Sequence, residues 1–154
     1  MRLSNREWAT FLEARKSGDF TIARSGWLAD YNDPIAFLDM WTTNSENNDA
    51  AIGKNKNATA AVYSLDLSDV GMSEYNKSAV TWKESYDLLI RLIREESDKK
   101  KRYALMHKAE DLLMESGCVT PLYYYTDMFM LDSRVSGFYT NPLGVKYFMY
   151  CTLK

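Results

Sequence analysis

The stretch Arg24-Ser25-Gly26-Trp27-Leu28-Ala29-Asp30-Tyr31-Asn32-Asp33-Pro34 decides how this chain is read. Ahead of it, Phe20-Thr21-Ile22-Ala23-Arg24 alternates with a period of two. That pattern predicts a strand with Phe20, Ile22 and Arg24 on one face, a cation standing at the end of an apolar row. At the far end, Asp33 is placed to cap a helix, and Pro34 takes the first helical position, where a missing N–H costs nothing. Asp30 is thereby left free of capping duty. A strand running into a helix N-terminus is also where open α/β sheets bind ligands.

Upstream, Ser4-Asn5-Arg6-Glu7 has the form of a capping box, and Trp8, Phe11 and Leu12 follow at helical spacing until Gly18. Arg15 falls on the same apolar stripe, so it too is a cation facing inwards. Snorkelling or pairing with an acid is the plain account of both arginines. Downstream, Pro34 to about Thr42 reads as a short helix, followed by the polar loop Asn44-Ser45-Glu46-Asn47-Asn48-Asp49. From Ala50 to Val80 the signal is thin: a short strand at Ala61-Val62-Tyr63-Ser64-Leu65, and Asn57-Ala58-Thr59, a glycosylation pattern common enough by chance to be discounted.

Thr81-Trp82-Lys83-Glu84 is a second capping box, opening a helix with Trp82, Tyr86, Leu89, Ile90 and Ile93 on one stripe. Ser97 or Asp98 starts another, whose stripe is Leu105, Met106, Ala109, Leu112 and Leu113 and whose terminator is Gly117. The run Lys99-Lys100-Lys101-Arg102 reads as a solvated face. Cys118 to Tyr125 is nearly continuous and apolar, as in a strand covered on both faces, although Pro121 argues for an edge or for an early position within the strand. Met128 to Leu131 is a further extended piece, Asn141-Pro142-Leu143-Gly144 a turn, and Val145 to Leu153 alternates as one strand with Cys151 buried on its inner face. Helix, strand, three helices and strands make an α/β or α+β chain that begins on a helix, as if cut from something longer.

With 154 residues, 46% of them hydrophobic, the chain has material for one core. A net charge of −2 gives no electrostatic case for nucleic acid or an anionic membrane as partner. No apolar run approaches the ~20 residues of a membrane span, and Met1 to Glu7 has no apolar signal core. Cys118 and Cys151 fit no zinc spacing. The single histidine, His107, lies opposite the stripe of its helix, and Glu110 and Asp111, being adjacent, point in different directions. With no Gly-rich phosphate loop, Gly-x-Ser-x-Gly or Cys-x-x-Cys, no residue pattern speaks for catalysis, a metal or a cofactor.

Trp27 to Pro34, preceded by Ile22-Ala23-Arg24-Ser25-Gly26, resembles the cleft segment of the family 5 extracellular solute-binding proteins, the oligopeptide-binding proteins of ABC importers. Further pieces agree in order: Glu7-Trp8-Ala9-Thr10-Phe11-Leu12 with Arg15, Ser45-Glu46-Asn47-Asn48, Ala109-Glu110-Asp111-Leu112-Leu113 leading to Pro121-Leu122-Tyr123-Tyr124-Tyr125, and Asn141-Pro142-Leu143-Gly144. The likeness fails between about Asp49 and Val80. It implies a partial type II lobe of the periplasmic-binding-protein kind, an α/β fold with a mixed sheet and flanking helices. In that picture residues 1–154 are the C-terminal part of a two-lobed protein, about 1–115 in the distal lobe and about 116–154 returning towards the hinge.

The resemblance implies that Asp30 holds the α-ammonium of an extended peptide, a charge-assisted bond contributing on the order of 1.5–3 kcal/mol. Backbone groups of Gly26, Trp27 and Leu28 would pair with the peptide as an added strand. Arg24 and Arg15 match positions that meet a ligand carboxylate or line the cleft, and Asn47 joins them from its loop. The implied parent protein is an extracytoplasmic lipoprotein serving a membrane permease, with no chemistry and no cofactor. Two alternatives stand beside this one: a non-binding interaction fragment that dimerises through exposed sheet edges, and a binder of another solute such as an oligosaccharide or metal chelate.

Overall fold

The computed structural model describes residues 3–54 and 63–154. A first helix, α1 (Trp8–Ser17), stands ahead of a helical hairpin, α2 (Trp82–Glu95) and α3 (Lys99–Glu115), on which the core is built. Thr81 opens α2 with the expected reciprocal cap: its hydroxyl accepts from the Glu84 N–H at 3.4 Å, and the Glu84 carboxylate accepts from the Thr81 N–H at 2.9 Å. Asp98 opens α3 by accepting from the Lys101 N–H at 2.8 Å, and Gly117 closes it at φ +65°, a left-handed turn that glycine adopts without strain. Both predicted stripes face inwards. Trp82, Tyr86, Leu89, Ile90 and Ile93 of α2 pack with Leu105, Met106, Ala109, Leu112 and Leu113 of α3. Burying each large apolar side chain contributes about 1.5–3 kcal/mol.

Residues 33–54 lie against this hairpin as turns. The Asp33 carboxylate accepts from the Ile35 N–H at 3.0 Å, and Pro34–Phe37 and Asp39–Trp41 follow as two short 3₁₀ turns in place of one α-helix. Three groups of the hairpin and loop hold them. The buried Tyr86 hydroxyl donates to the Leu38 carbonyl at 2.8 Å; Asp87 accepts from the Thr43 N–H at 3.0 Å and from its hydroxyl; and buried Asn48 binds its own loop. The Asn48 amide donates to the carbonyls of Trp41, Thr42 and Ile52, at 3.3, 3.2 and 2.9 Å, and accepts from the Ile52 N–H at 3.1 Å. Gly53 sits where a Cβ would overlap Thr43 and come within 2.9 Å of the Trp82 ring, so the loop can close on α2 only with glycine there.

The described strands are short and antiparallel: β1 (Tyr63–Leu65) with β2 (Lys77–Val80), β3 (Val135–Ser136) with β6 (Thr152–Leu153), and β4 (Tyr139–Thr140) with β5 (Lys146–Tyr147). Helices and strands thus share the chain, but no mixed sheet forms among the described residues. Several expectations are corrected. Glu7, not Ser4, caps α1, accepting from the Ala9 and Thr10 N–H groups at 2.9 and 3.2 Å, and Trp8 is 65% exposed. Phe20 to Arg24 and Cys118 to Tyr125 are not strands, because alternation supplies faces but no ladder partner; residues 120–131 are all exposed.

Val145 to Leu153 breaks into β5 and β6 at a turn where the Cys151 N–H donates to the Phe148 carbonyl at 2.9 Å, so Cys151 is half-buried instead of part of the core. The Asn141 turn forms as expected, its carboxamide oxygen accepting from the Leu143 and Val145 N–H groups at 3.1 and 3.0 Å. Asn57-Ala58-Thr59, with Ala61 and Val62 of the predicted strand, lies outside the described residues.

Replacing Tyr86 by Phe keeps the ring in the core but leaves the Leu38 carbonyl without its donor. The expected result is a loss of about 1–2 kcal/mol in urea unfolding with an unchanged m-value; an unmoved midpoint would deny this bond its anchoring role.

Candidate functional site

A cleft of about 360 Å³ opens between the Asp30 stretch, the 3₁₀ turns and α2. Trp27, Asp30, Tyr31, Asp39, Asn47 and Arg94 are among its walls. Trp27 is held by its indole N–H, which donates to the Ala36 carbonyl at 3.0 Å. Asn47 is presented by the loop that Asn48 holds. Asp39 accepts from the Tyr31 hydroxyl at 2.9 Å and from an Arg94 amino group at 3.2 Å. Burial, reinforced by the neighbouring Asp39 charge, raises the Tyr31 hydroxyl above its ordinary range, so it stays a donor. The Asp30 carboxylate makes no hydrogen bond among the described residues. Of the two acids in the cleft, one is satisfied and the other is available to a cation.

Trp27, Asp30 and Asn47 therefore meet in one cleft, while the remaining predicted site residues stand outside its walls. Leu28 is 71% exposed. Gly26 lies against Tyr125, where a Cβ would come 3.2 Å from the phenol oxygen. The Arg24 guanidinium donates to the hydroxyls of Tyr123 and Tyr125 at 3.0 and 3.1 Å, and that bond draws the Tyr123 hydroxyl below its ordinary range. Arg15 donates from Nε to Asp49 at 2.9 Å, the two side chains only 18% and 16% exposed, and its guanidinium lies over the Phe11 ring. Pairing with an acid, the plain account of an inward arginine, describes Arg15. Among the described residues, no backbone group of residues 22–30 takes part in a backbone hydrogen bond, so this stretch offers unpaired donors and acceptors beside Asp30.

Sequence reasoning missed Asp39, Arg94 and the two tyrosines. Arg94 lies on the polar flank of α2, where its residue type and spacing match any solvated arginine; only the fold of residues 33–47 brings it to the cleft. Arg102 departs from the solvated-face reading, donating from Nε to the Ile93 carbonyl at 2.9 Å and pairing with Asp33 at 2.9 Å. His107 is exposed, 3.9 Å from Glu110. Among the described residues no three His, Cys, Asp or Glu side chains are placed to hold a metal ion, and no helix is long and apolar enough to cross a membrane.

An indole, an amide and a carboxylate without a hydrogen-bond partner among the described residues thus line one open cleft. No family model matches the chain. The dipeptide-binding protein DppE of Bacillus subtilis (strain 168) is 32% identical over 144 residues, 94% of this chain and 21% of the relative. The periplasmic oligopeptide-binding protein OppA of Escherichia coli (strain K12) is 32% identical over 138 residues, 90% of this chain and 20% of the relative. The probable deoxycholate-binding periplasmic protein YgiS of Escherichia coli (strain K12) is 31% identical over 136 residues, 88% and 20%. The chain thus spans about a fifth of the length of the curated relatives it matches. It is homologous, over nearly all of its own length, to one segment of the oligopeptide- and dipeptide-binding proteins, the solute-binding family that its Asp30 stretch resembles.

Asp33, which caps the wall of the cleft, yields a pH prediction. Burial would raise its carboxyl, but the Ile35 N–H and the Arg102 guanidinium outweigh burial and hold it below the ordinary range. A carboxyl depressed by folding contributes stability that is present above its unfolded value of about 4 and is lost as pH falls through the lower folded value. Asn caps as well as Asp but cannot pair with Arg102. Asp33→Asn should therefore flatten the acid side of the stability profile below about pH 4, read as urea midpoints against pH; an unchanged acid limb would exclude this pair as its source.

Proposed function

We propose that this chain is the segment of an oligopeptide-binding protein of an ABC importer that receives the free N-terminus of an extended peptide, and that it does so without chemistry. The observation that carries the reading is the Asp30 carboxylate, unpaired among the described residues and facing a cleft shared with Trp27 and Asn47. Asp30 is exposed at the open cleft, and an ammonium group satisfies it with a charge-assisted bond that a ligand lacking that group cannot make. The unpaired backbone of residues 22–30 supports strand-like pairing with the peptide, which gives affinity without reading side chains. Arg24, with its two tyrosine hydroxyls, supplies donors for a carboxylate further along the ligand. Arg15 acts behind them, holding the Asn47 loop through Asp49.

On this reading residues 1–115 belong to the distal, type II lobe and residues 116–154 return towards the hinge. The whole protein is an extracytoplasmic lipoprotein that delivers its ligand to a membrane permease. A second reading, an interaction segment that associates with another copy of itself, draws on residues 120–131, an exposed run rich in aromatic and aliphatic side chains. Another solute in place of peptide draws on the relative named for deoxycholate.

The test is calorimetric titration of the chain with tri- and tetra-alanine and with the same peptides N-acetylated, repeated on Asp30→Asn. Acetylation and the substitution should each weaken binding about tenfold to a hundredfold, as expected for one charge-assisted bond. Together they should cost little more than either alone, because both remove the same contact. Equal binding of free and acetylated peptides would refute ammonium capture.

A further inference from the structure

We propose that the Tyr31 hydroxyl is a positioning group for Asp30, fixing that carboxylate in the wall of the cleft through its bond to Asp39; the inference rests on the ammonium-binding reading and deepens it. Asp30 has little else to hold it. Leu28, Ala29 and Asp30 make no hydrogen bond, backbone or side chain, among the described residues, and Leu28 is 71% exposed. Asp30 lies in no helix or strand, so neither a ladder nor a helical turn fixes its backbone. An exposed carboxylate on a free stretch would have to be ordered afresh by every ligand that used it, and the lost backbone freedom would weaken binding.

The side chains of Trp27 and Tyr31, on either side of Asp30 in the chain, supply what the backbone lacks. The Trp27 indole N–H donates to the Ala36 carbonyl at 3.0 Å, and the Tyr31 hydroxyl donates to Asp39 at 2.9 Å. Ala36 belongs to the first 3₁₀ turn and Asp39 to the second, and Leu38 between them is bound by the Tyr86 phenol. Asp30 is thus suspended between tethers fastened to one support. Tyr31 directly follows Asp30, and its acceptor is a carboxylate, which makes the bond stronger than one to a neutral oxygen. Arg94 donates to the same carboxylate at 3.2 Å, so α2 holds Asp39 while Asp39 holds Tyr31. Burial and the Asp39 charge keep the Tyr31 hydroxyl protonated, so it donates throughout the physiological range. Tyr31 is 43% exposed and stands outside the core, so its hydroxyl can be removed without opening a cavity.

The test is calorimetric titration of the full chain with trialanine and N-acetyl-trialanine. The proteins are the wild type, Tyr31→Phe, Asp39→Ala and Asp30→Asn, and Tyr31→Phe combined with each of the other two. The wild type should prefer the free amine. Tyr31→Phe should weaken trialanine about fivefold to tenfold and leave the acetylated form within about twofold, so that the preference shrinks. In the Asp30→Asn background Tyr31→Phe should change neither peptide, because a group that acts by placing Asp30 has nothing left to place. In the Asp39→Ala background it should again change neither, because the hydroxyl has already lost its acceptor. A preference left intact by Tyr31→Phe overturns the inference. Equal weakening of the two peptides also overturns it, since the hydroxyl then only keeps the wall in shape, and so does a full Tyr31→Phe effect that persists beside Asp30→Asn or Asp39→Ala. All of these leave ammonium capture standing. A wild type that binds both peptides alike, or neither, refutes ammonium capture itself, and the positioning role falls with it.

Discussion

The cleft depends on one buried hydrogen bond, from the Tyr86 hydroxyl to the Leu38 carbonyl. Tyr86 is fully enclosed, stacked on Trp82, and its hydroxyl is pushed far above the usual phenol range by burial, so it remains a donor at any pH the protein meets. Leu38 joins the two 3₁₀ turns, and their short hydrogen-bond runs could not hold a fixed position by themselves. The phenol ties them to α2, whose inner stripe makes the core with α3, and the walls contributed by Ala36, Asp39 and Asn47 inherit its position. Asp87 repeats the arrangement one residue further along α2, where it receives two bonds from Thr43.

Helix α2 consequently serves two purposes on adjoining faces. Its inner stripe makes the core with α3, and the flank carrying Asp87 and Arg94 reaches outwards to hold or line the turns. Trp27 completes the arrangement from the other side through its bond to Ala36. The unpaired Asp30 is thus flanked by rigid neighbours without being bonded to any described residue. Arg94, the arginine that lines the cleft with Asp30, is bonded to Asp39.

Local chemistry made the helices legible in the sequence. Thr81 and Glu84 satisfy each other's backbone, Asp98 and Gly117 mark the ends of α3, and every residue assigned to the stripe of α3 is buried. Asp33 and Pro34 likewise open a turn where expected, and Asp30, Trp27 and Asn47 do meet. The strands were legible only in part: Tyr63 to Leu65 forms β1 where a strand is expected. Alternation in Phe20 to Arg24 and in Val145 to Leu153 describes which way side chains would point, but a strand exists only where a second segment answers its hydrogen bonds, and nothing within the pattern itself says whether one does. The inward arginines were ambiguous for a related reason: the partner of Arg15 lies in the Asn47 loop, remote in sequence, and only folding brings Asp49 to it. Arg94 had no signal at all, since a lone arginine on a helix flank becomes a wall only when a distant loop is laid beside it.

Asn48 stores the shape of its loop in a single side chain. Its amide answers backbone groups at Trp41, Thr42 and Ile52, which elsewhere would be met by neighbours in a helix or sheet. The side chains of Asn44, Glu46 and Asn47 take no part in that scaffold among the described residues. A loop built this way separates the positions that specify form from those that specify affinity. Substitutions can accumulate at the second kind, altering what the wall of the cleft attracts, while the backbone that carries them stays where it is; the site can be diversified by point mutation without the fold having to be rediscovered.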